Sequence, residues 1–316
     1  MYRLLLVILL SLLPVSGYLQ VDFNSQDPNF FKYYGAPNVP IYTSWKDAMK
    51  AKEQVVKLNV KGENLSKQIS KIDKLINLQI AYLENNNLTM LPSQIGSLNM
   101  LFILISKNNP LQYISPKIAD CSSLMYLELW NTKLDSIPNE LQYMRNLELL
   151  RILENTSKDT LHISDSLKRL PCLRTLQIVD ADLYKFPEFI LRSKKIENLY
   201  LVNCKIDSLP AEIFYLDKLK EINLEGNRIQ AIPKEILKMP NLQFLNLKNN
   251  KLTTITEFIA YMPSLQVLDI RGNMIPLPEL DVLRILFKRK SKILYSDYEK
   301  LLLEQMEEQK KIQENK

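Results

Sequence analysis

The stretches LKEINLEGNRIQAIPKEILKMPN (Leu219 to Asn241) and LQFLNLKNNKLTTITEFIAYMPS (Leu242 to Ser264) are two consecutive copies of one 23-residue unit. Apolar residues recur at positions 1, 4, 6, 11, 14, 18 and 21 of the unit, Asn often fills position 9, and Pro often fills position 15. Further copies lie on both sides, and the copy spanning 147–172 carries three extra residues. The ten copies begin at Val55, Leu78, Leu101, Leu124, Leu147, Leu173, Ile196, Leu219, Leu242 and Leu265.

This period predicts how each copy folds. Positions 3 to 7 alternate, with apolar residues at 4 and 6, which is typical of a short strand with one buried face. Because one unit can bury its apolar face only against its neighbours, residues 55–287 should stack into one elongated α/β solenoid with parallel strands. Asn at position 9 carries donors and an acceptor for buried backbone groups, so we predict a structural ladder there. Its members are Asn86, Asn109, Asn155, Asn227, Asn250 and Asn273.

The consensus LPxxIxxLxxLxxLxLxxNxLxxLP, from about Val55 to Leu286, resembles the 23-residue class of leucine-rich repeats. That class occurs in Ras-group and Scribble-type proteins and in exported bacterial proteins. The resemblance implies a right-handed, horseshoe-shaped solenoid with a concave parallel sheet and helical end caps. It also implies a protein-binding role, but unrelated functions share the motif, so it does not name the ligand.

Residues 1–17, MYRLLLVILLSLLPVSG, have the layout of a signal peptide: Arg3, an apolar stretch and small residues near Gly17. The apolar stretch is shorter than the roughly 20 residues of a membrane-spanning helix. We therefore expect cleavage and export, to the periplasm, the cell surface or the medium, with no transmembrane segment left. An uncleaved anchor is the alternative. Animal extracellular relatives usually carry Cys-rich end caps, and their absence favours a bacterial source.

Both ends of the solenoid need a cover, because an open end exposes core and a strand edge. Residues 18–54 read as an irregular leader to Tyr42, followed by a cap helix within Thr43 to Glu53 that Ser44 begins. Residues 288–316 read as a second cap helix with a polar tail. This helix starts at the capping pair Ser296 and Glu299.

The outward strand positions 3, 5 and 7 are free to vary without harm to the core, so they carry the best signal of function. In repeats two to seven they are largely apolar or aromatic, and in later repeats they are mostly polar. Apolar patches of that size are seldom exposed without purpose, and Tyr and Trp dominate protein interfaces. The predicted partner-binding residues are Ile80, Tyr82, Glu84, Ile103, Ile105, Tyr126, Glu128, Trp130, Leu149, Arg151, Leu153, Val179, Tyr200 and Val202.

Two interpretations of this patch stay open. It binds a protein or peptide, or the leader folds into the concavity and buries it, through the aromatic stretch Phe30 to Tyr34. The insertion Asn155 to Ser166 in the enlarged copy is expected as a loop beside the patch, either adding contacts or merely tolerated.

The chain shows no pattern of an enzyme, and we expect no cofactor and no metal. His162 is its only histidine, the three cysteines lack ligand spacing, and six glycines form no phosphate loop. Those cysteines read as core fillers. A net charge of +6, dispersed along the chain, does not indicate nucleic acid. We expect a monomer that binds a protein or peptide; the alternative is a structural or adhesive surface protein contacting glycans or envelope components. Glycosylation at Asn64 and Asn87 depends on the host.

Overall fold

The computed structural model describes residues 39–157 and 159–314 of the 316-residue chain, with side chains as far as Met306. The predicted signal peptide, 1–17, and most of the predicted leader lie outside the described residues. Within those residues, no helix combines the length and the apolar character that crossing a bilayer requires.

Twelve parallel strands form one continuous sheet within the described ranges. Most paired residues are one repeat apart, as where Ile80 pairs with Ile103 and Ile103 with Tyr126, which confirms the predicted stacking. The strands in chain order are β1 (Ile41–Tyr42), β2 (Lys57–Lys61), β3 (Ile80–Glu84), β4 (Met90–Leu91), β5 (Ile103–Lys107), β6 (Tyr113–Ile114), β7 (Tyr126–Thr132), β8 (Ser136–Ile137), β9 (Leu149–Asn155), β10 (His162–Ile163), β11 (Thr175–Val179), β12 (Asn198–Val202), β13 (Glu221–Asn223), β14 (Phe244–Asn246), β15 (Val267–Asp269) and β16 (Ile293–Tyr295). All but β4, β6, β8 and β10 belong to the large sheet.

The return segments consist of short 3₁₀ helices and two small strand pairs, β4 with β6 and β8 with β10. Five of these helices directly follow the position-15 proline of their repeat. Proline suits that place because its backbone angle is fixed and it lacks an N–H that would need a partner. The 3₁₀ helices span Ile69–Lys74, Ser93–Ser97, Pro116–Asp120, Asn139–Tyr143, Glu188–Arg192, Ala211–Tyr215, Lys234–Lys238 and Glu257–Tyr261.

One hydrophobic core runs between the sheet and the return segments, from Trp45 to Phe287. In the repeat that opens at Leu101, positions 1 and 4 are fully buried, and the same positions are buried in its neighbours. Burying one such side chain stabilises the fold by about 1.5–3 kcal/mol, so each repeat is held mainly by the adjacent repeats.

The asparagine ladder has the predicted structural role. Asn109 Oδ1 accepts hydrogen bonds from the backbone N–H groups of Asn86 and Leu88, at 2.9 and 3.1 Å. Its Nδ2 donates to the Leu83 carbonyl at 3.0 Å. Cys204 replaces Asn in one repeat, and its thiol lies 3.4 Å from the Ile178 carbonyl. The side chains at this position therefore tie neighbouring turns together and are not available to a ligand.

A helix and a strand close the N-terminal end. Helix α1 (Trp45–Lys50) follows Ser44, whose Oγ accepts a hydrogen bond from the Asp47 N–H at 3.5 Å. Trp45 and Ala48 are buried against the first repeat. Strand β1 pairs with β2, with Ile41 opposite Lys57, so it covers the edge that the first repeat would otherwise expose.

The C-terminal end differs from the sequence expectation. The return of the tenth repeat is an α-helix, α2 (Leu277–Arg289), and β16 then adds a further strand to the sheet. Helix α3 (Tyr298–Glu314) follows. Its Leu301 packs against the core, but Met306 is exposed, so the apolar face of the helix is covered only in part.

We expected the insertion in the enlarged repeat to form a loop beside the concave sheet, and this expectation is wrong. His162 and Ile163 form β10, which pairs with β8 on the return side, and Ile163 packs against the core. The extra residues therefore lengthen the return segment. The three cysteines are free, and Cys121 and Cys204 are buried, in agreement with their role as core fillers.

Candidate functional site

The outward side chains of the concave sheet form three rows, one at each of positions 3, 5 and 7. Because the strands pair in register, residues at one position lie side by side on adjacent strands, about 4.8 Å apart. The position-3 row contains Lys57, Ile80, Ile103, Tyr126, Leu149, Thr175, Asn198, Glu221, Phe244 and Val267. The position-5 row contains Asn59, Tyr82, Ile105, Glu128, Arg151, Gln177, Tyr200, Asn223, Asn246 and Asp269. The position-7 row begins with Lys61, Glu84, Lys107, Trp130, Leu153, Val179 and Val202.

All the predicted partner-binding residues lie in these rows, but the expectation that they face water is wrong for most of them. Nine are between 0 and 8% exposed: Ile80, Tyr82, Glu84, Ile103, Ile105, Tyr126, Glu128, Leu149 and Arg151. We call these nine the covered patch. Its apolar members form a hydrophobic cluster separate from the solenoid core, together with Met125, and the partly buried Phe102 packs against it. The other five, Trp130, Leu153, Val179, Tyr200 and Val202, are partly exposed.

A buried polar network lies within the covered patch. The Tyr126 hydroxyl donates a short hydrogen bond to Glu128 Oε2. Arg151 Nη1 donates to the same oxygen at 3.1 Å, and Arg151 Nε donates to Gln177 Oε1 at 2.8 Å. Burial and the adjacent carboxylate raise the pKa of Tyr126 well above its usual value. Burial opposes the charge of Arg151, but Tyr126 and Glu128 outweigh burial and raise its pKa.

Only one of the two carboxylate oxygens of Glu128, Oε2, accepts hydrogen bonds among the described residues. Glu128 is fully buried, and its Oε1 has no hydrogen-bond partner among the described residues. A buried acceptor without a donor costs about 1–3 kcal/mol. Glu128 therefore contacts Tyr126 and Arg151 through a single oxygen, and the positive charge of Arg151 stabilises the buried carboxylate.

Two lysines border the covered patch. Lys61 Nζ lies 3.2 Å from Glu84 Oε2, and Lys107 Nζ lies 3.9 Å from the centre of the Trp130 ring. Lys107 and Gln177 are not in the predicted set, although they contact Trp130 and Arg151 directly. The repeat register, which makes each of them the lateral neighbour of its partner, is the signal that identifies them.

The accessible apolar part of the face is a continuous line within the position-7 row. Trp130, Leu153, Val179 and Val202 occupy adjacent strands β7, β9, β11 and β12, and each pairs directly with the next. All four are partly exposed. We call them the open row. Three strand spacings give it a length of about 14 Å.

Beyond the open row the face is polar and its charges are paired. Lys248 Nζ lies 2.8 Å from Glu225 Oε1, and Arg271 Nη2 lies 2.5 Å from Asp269 Oδ2. The Tyr200 hydroxyl donates to Glu221 Oε2 at 2.5 Å. Burial and that carboxylate raise the pKa of Tyr200, so the phenol stays protonated at neutral pH. This half of the face offers hydrogen-bonding groups that already have partners.

The residues near His162 do not form a catalytic set within the described ranges. Ser157 Oγ bonds to Asp135, and Ser164 Oγ accepts from the Ser166 N–H. The His162 backbone N–H donates to the Asp135 carbonyl at 2.8 Å, as part of the β10 pairing. Among the described residues, no three His, Cys, Asp or Glu side chains come together as a metal site.

Comparison with known proteins agrees with this geometry. Residues 194–252 and 217–275 match the family model described as leucine rich repeat. A search of curated proteins finds no significant sequence match. The 23-residue class that the consensus resembles stays a prediction.

Solved structures share the fold at low sequence identity. The TLR13–ssRNA13 complex aligns at 21% identity with a TM-score of 0.58, over 74% of this chain and 34% of that chain. The PEPR1–AtPEP1 structure aligns at 22% identity with a TM-score of 0.53, over 76% and 34%. A leucine-rich repeat protein of Leptospira interrogans aligns at 21% identity over 80% of this chain and 99% of that chain, with a TM-score of 0.30. The chain thus spans about a third of the length of the TLR13 and PEPR1 chains to which it is similar. Its parallel sheet, its asparagine ladder and the family model matched over residues 194–275 show that the chain has the leucine-rich repeat fold.

Proposed function

We propose that this chain is a non-catalytic interaction module that binds a protein or peptide on the concave face, on the part of repeats two to seven that is accessible, the open row. The observation that carries the proposal is the open row, in which Trp130 and three aliphatic side chains are accessible on four adjacent strands. An apolar line on a rigid sheet gives a partner a preformed surface, which lowers the entropy cost of binding.

The chemistry of the open row favours an apolar segment of a protein over a phosphate backbone. Its four side chains carry no charge, and the neighbouring Lys107 already lies over the Trp130 ring. Nucleic-acid binding instead depends on many accessible lysines and arginines along one face. Two of the solved structures that share this fold contain a second molecule, AtPEP1 with PEPR1 and ssRNA13 with TLR13. For this chain the peptide-like partner fits the open row.

Trp130 is the residue on which the affinity should depend most. Tryptophan is enriched among the residues whose truncation weakens interfaces by about 2 kcal/mol or more. Glu84, Glu128 and Arg151 of the covered patch are buried, so a partner on the open row does not contact them directly.

Substitution in the open row tests the proposal. A partner is first captured with the full chain, and its Kd is then measured for Trp130→Ala and Val202→Ala. We expect Trp130→Ala to weaken binding about 30-fold, with an unchanged melting temperature, because the side chain is partly exposed. Phe244→Ala is the matched control, since Phe244 is partly exposed on the polar part of the same sheet.

An unchanged Kd in both open-row variants would contradict the proposal. Loss of binding on removal of the basic cluster at Lys288, Arg289, Lys290 and Lys292 would instead favour the adhesive alternative.

A further inference from the structure

Apolar side chains that reach solvent are concentrated at the C-terminal end of the solenoid. Among the described residues, eight of the sixteen exposed large apolar side chains lie between Phe258 and Met306. Four of the eight belong to two elements on the return side. Phe258 and Tyr261 lie on the last 3₁₀ helix, and Val282 and Ile285 lie on α2. These four, which are 40 to 59% exposed, are called the C-terminal patch below.

Contacts near both ends of α2 bring the members of the patch together. Close to the start of α2, Thr254 Oγ1 donates to Glu279 Oε2 at 2.8 Å. Just after its end, Lys290 Nζ lies 4.6 Å from the centre of the Tyr261 ring. The last 3₁₀ helix and α2 therefore run side by side in the same direction. Phe258 consequently lies beside the middle of α2, where the two aliphatic members of the patch are found.

The spacing of residues along α2 separates a buried face from an exposed apolar face. Leu280, Leu283 and Phe287 are buried and pack into the solenoid core. Val282 and Ile285 are three residues apart, so they share one side of the helix, and both are exposed. The fold needs only the first set to close the end of the core. The second set therefore makes an apolar surface that the described chain leaves open.

Basic side chains border this surface. Residues 282–292, VLRILFKRKSK, contain five basic residues and no acidic one. Arg284 is paired with Asp281 at 3.1 Å. Lys288 and Arg289 are exposed and form no ion pair with another described residue. Their charges are therefore available to an anionic partner.

The excess of positive charge also affects the neighbouring lysine. Lys292 Nζ donates to the Met262 carbonyl at 2.5 Å. Burial lowers the pKa of Lys292, and the charge of Lys290 lowers it further. The last 3₁₀ helix and α2 hold three acidic residues, of which Glu279 and Asp281 already have partners and Glu257 is exposed. Cations therefore outnumber free acids around the patch.

Protruding apolar groups with cations beside them suit a lipid surface better than a peptide. A bound peptide helix lays its apolar side chains into a groove, whereas the four members of the patch stand out from the return side. Proteins that attach to a membrane surface place apolar side chains between headgroups and acyl chains. Lysine and arginine beside them are attracted to anionic headgroups.

We propose that the C-terminal patch, together with Lys288, Arg289 and Lys290, attaches the solenoid to the surface of an anionic lipid bilayer. The patch lies on the return side, so the concave sheet stays free for a partner. The inference does not depend on that partner, because it rests on a different face of the molecule.

Vesicle binding of the full chain tests the attachment. The chain is mixed with vesicles of phosphatidylcholine alone, or with about a third of phosphatidylglycerol, and the bound fraction is measured by co-sedimentation. We expect binding to the anionic vesicles only, and weaker binding when salt is raised from about 0.1 M to about 1 M, because the Debye length falls from about 10 Å to about 3 Å. Absence of binding to anionic vesicles at the lower salt would overturn the proposal.

A pair of charge variants shows whether the binding uses this surface. The variant Lys288→Gln, Arg289→Gln should lower the partition coefficient for anionic vesicles by about 30-fold. Lys67→Gln, Lys71→Gln is the matched control, since both lysines are exposed at the opposite end of the solenoid and the net charge is the same. Equal losses in the two variants would mean that only net charge matters, and the proposal would fail.

A fluorescence measurement shows whether the apolar residues enter the bilayer. Phe258→Trp is compared with Tyr143→Trp, because both positions are exposed on return segments. Emission from the tryptophan at 258 should shift to shorter wavelength with anionic vesicles, and emission from the tryptophan at 143 should not. No shift at 258 would rule out insertion and overturn the proposal. Binding of poly-glutamate through Lys288 and Arg289, without binding to vesicles, would assign the surface to an acidic polypeptide instead.

Discussion

At the residue scale, position 8 of the repeat has a role that the sequence analysis did not assign. Every one of the ten repeats has a positive φ there. Most of these residues are Asn or Gly, the types that adopt the left-handed region at least cost. The members are Gly62, Asn85, Asn108, Asn131, Glu154, Asp180, Asn203, Gly226, Asn249 and Gly272. The frequent Asn and Gly at position 8 could have predicted this backbone conformation. The alternation and spacing of apolar residues carry no information on backbone angles.

Glu154 is the misfit in this series, and it gives a stability prediction. Its φ is 52° and its side chain is exposed, so this residue adopts the left-handed conformation with the steric strain of a Cβ atom. Glu154→Gly should raise the free energy of unfolding by about 1 kcal/mol, measured by urea denaturation. Glu154→Ala keeps the strain and is the control. A glycine variant no more stable than the alanine variant would refute this explanation.

The buried pair Glu128 and Arg151 gives a second prediction at this scale. Glu128→Leu leaves the Arg151 charge buried without its carboxylate, so it should cost about 3–5 kcal/mol of stability. The double variant Glu128→Leu, Arg151→Met removes both charges and should recover most of that loss. If the double variant unfolds at as low a denaturant concentration as the single variant, the unpaired charge of Arg151 is not the cause of the lost stability.

At the scale of elements, the capping pattern locates where helices begin, and tertiary context decides where they end. Ser44 precedes α1 as the sequence indicates, but the helix ends at Lys50, before Glu53. Helix α2 was assigned to the return of the tenth repeat. The spacing of its buried Leu280, Leu283 and Phe287 is nevertheless typical of a helix. The 23-residue register predicted a return segment like those of the other repeats, but a terminal repeat has no further neighbour, and its return segment is an α-helix.

Removal of the main contact of the N-terminal cap should open the first repeat. Trp45 is 3% exposed, so Trp45→Ala should cost about 3–5 kcal/mol through the cavity it leaves. Hydrogen exchange should accelerate most in β2, next to the cap, and least in β13. Lys46→Ala, at an exposed position of the same helix, is the control. Uniform acceleration across the sheet would mean that the cap does not protect one end.

At the scale of the whole molecule, the fold was predictable and the exposure of the binding face was not. Residues such as Leu104 and Leu127 must face the core whatever lies outside, so the period alone predicts the sheet. Alternation also shows that Ile105 and Trp130 point away from the core. It does not show that Ile105 is buried and Trp130 accessible, since that depends on what lies over each strand.

The most direct test of the account is hydrogen exchange of the full chain with and without a captured partner. We predict that added protection concentrates in β7, β9, β11 and β12, the strands that carry the open row. Protection confined to the return segments or to α2 and α3, with these four strands unchanged, would contradict it.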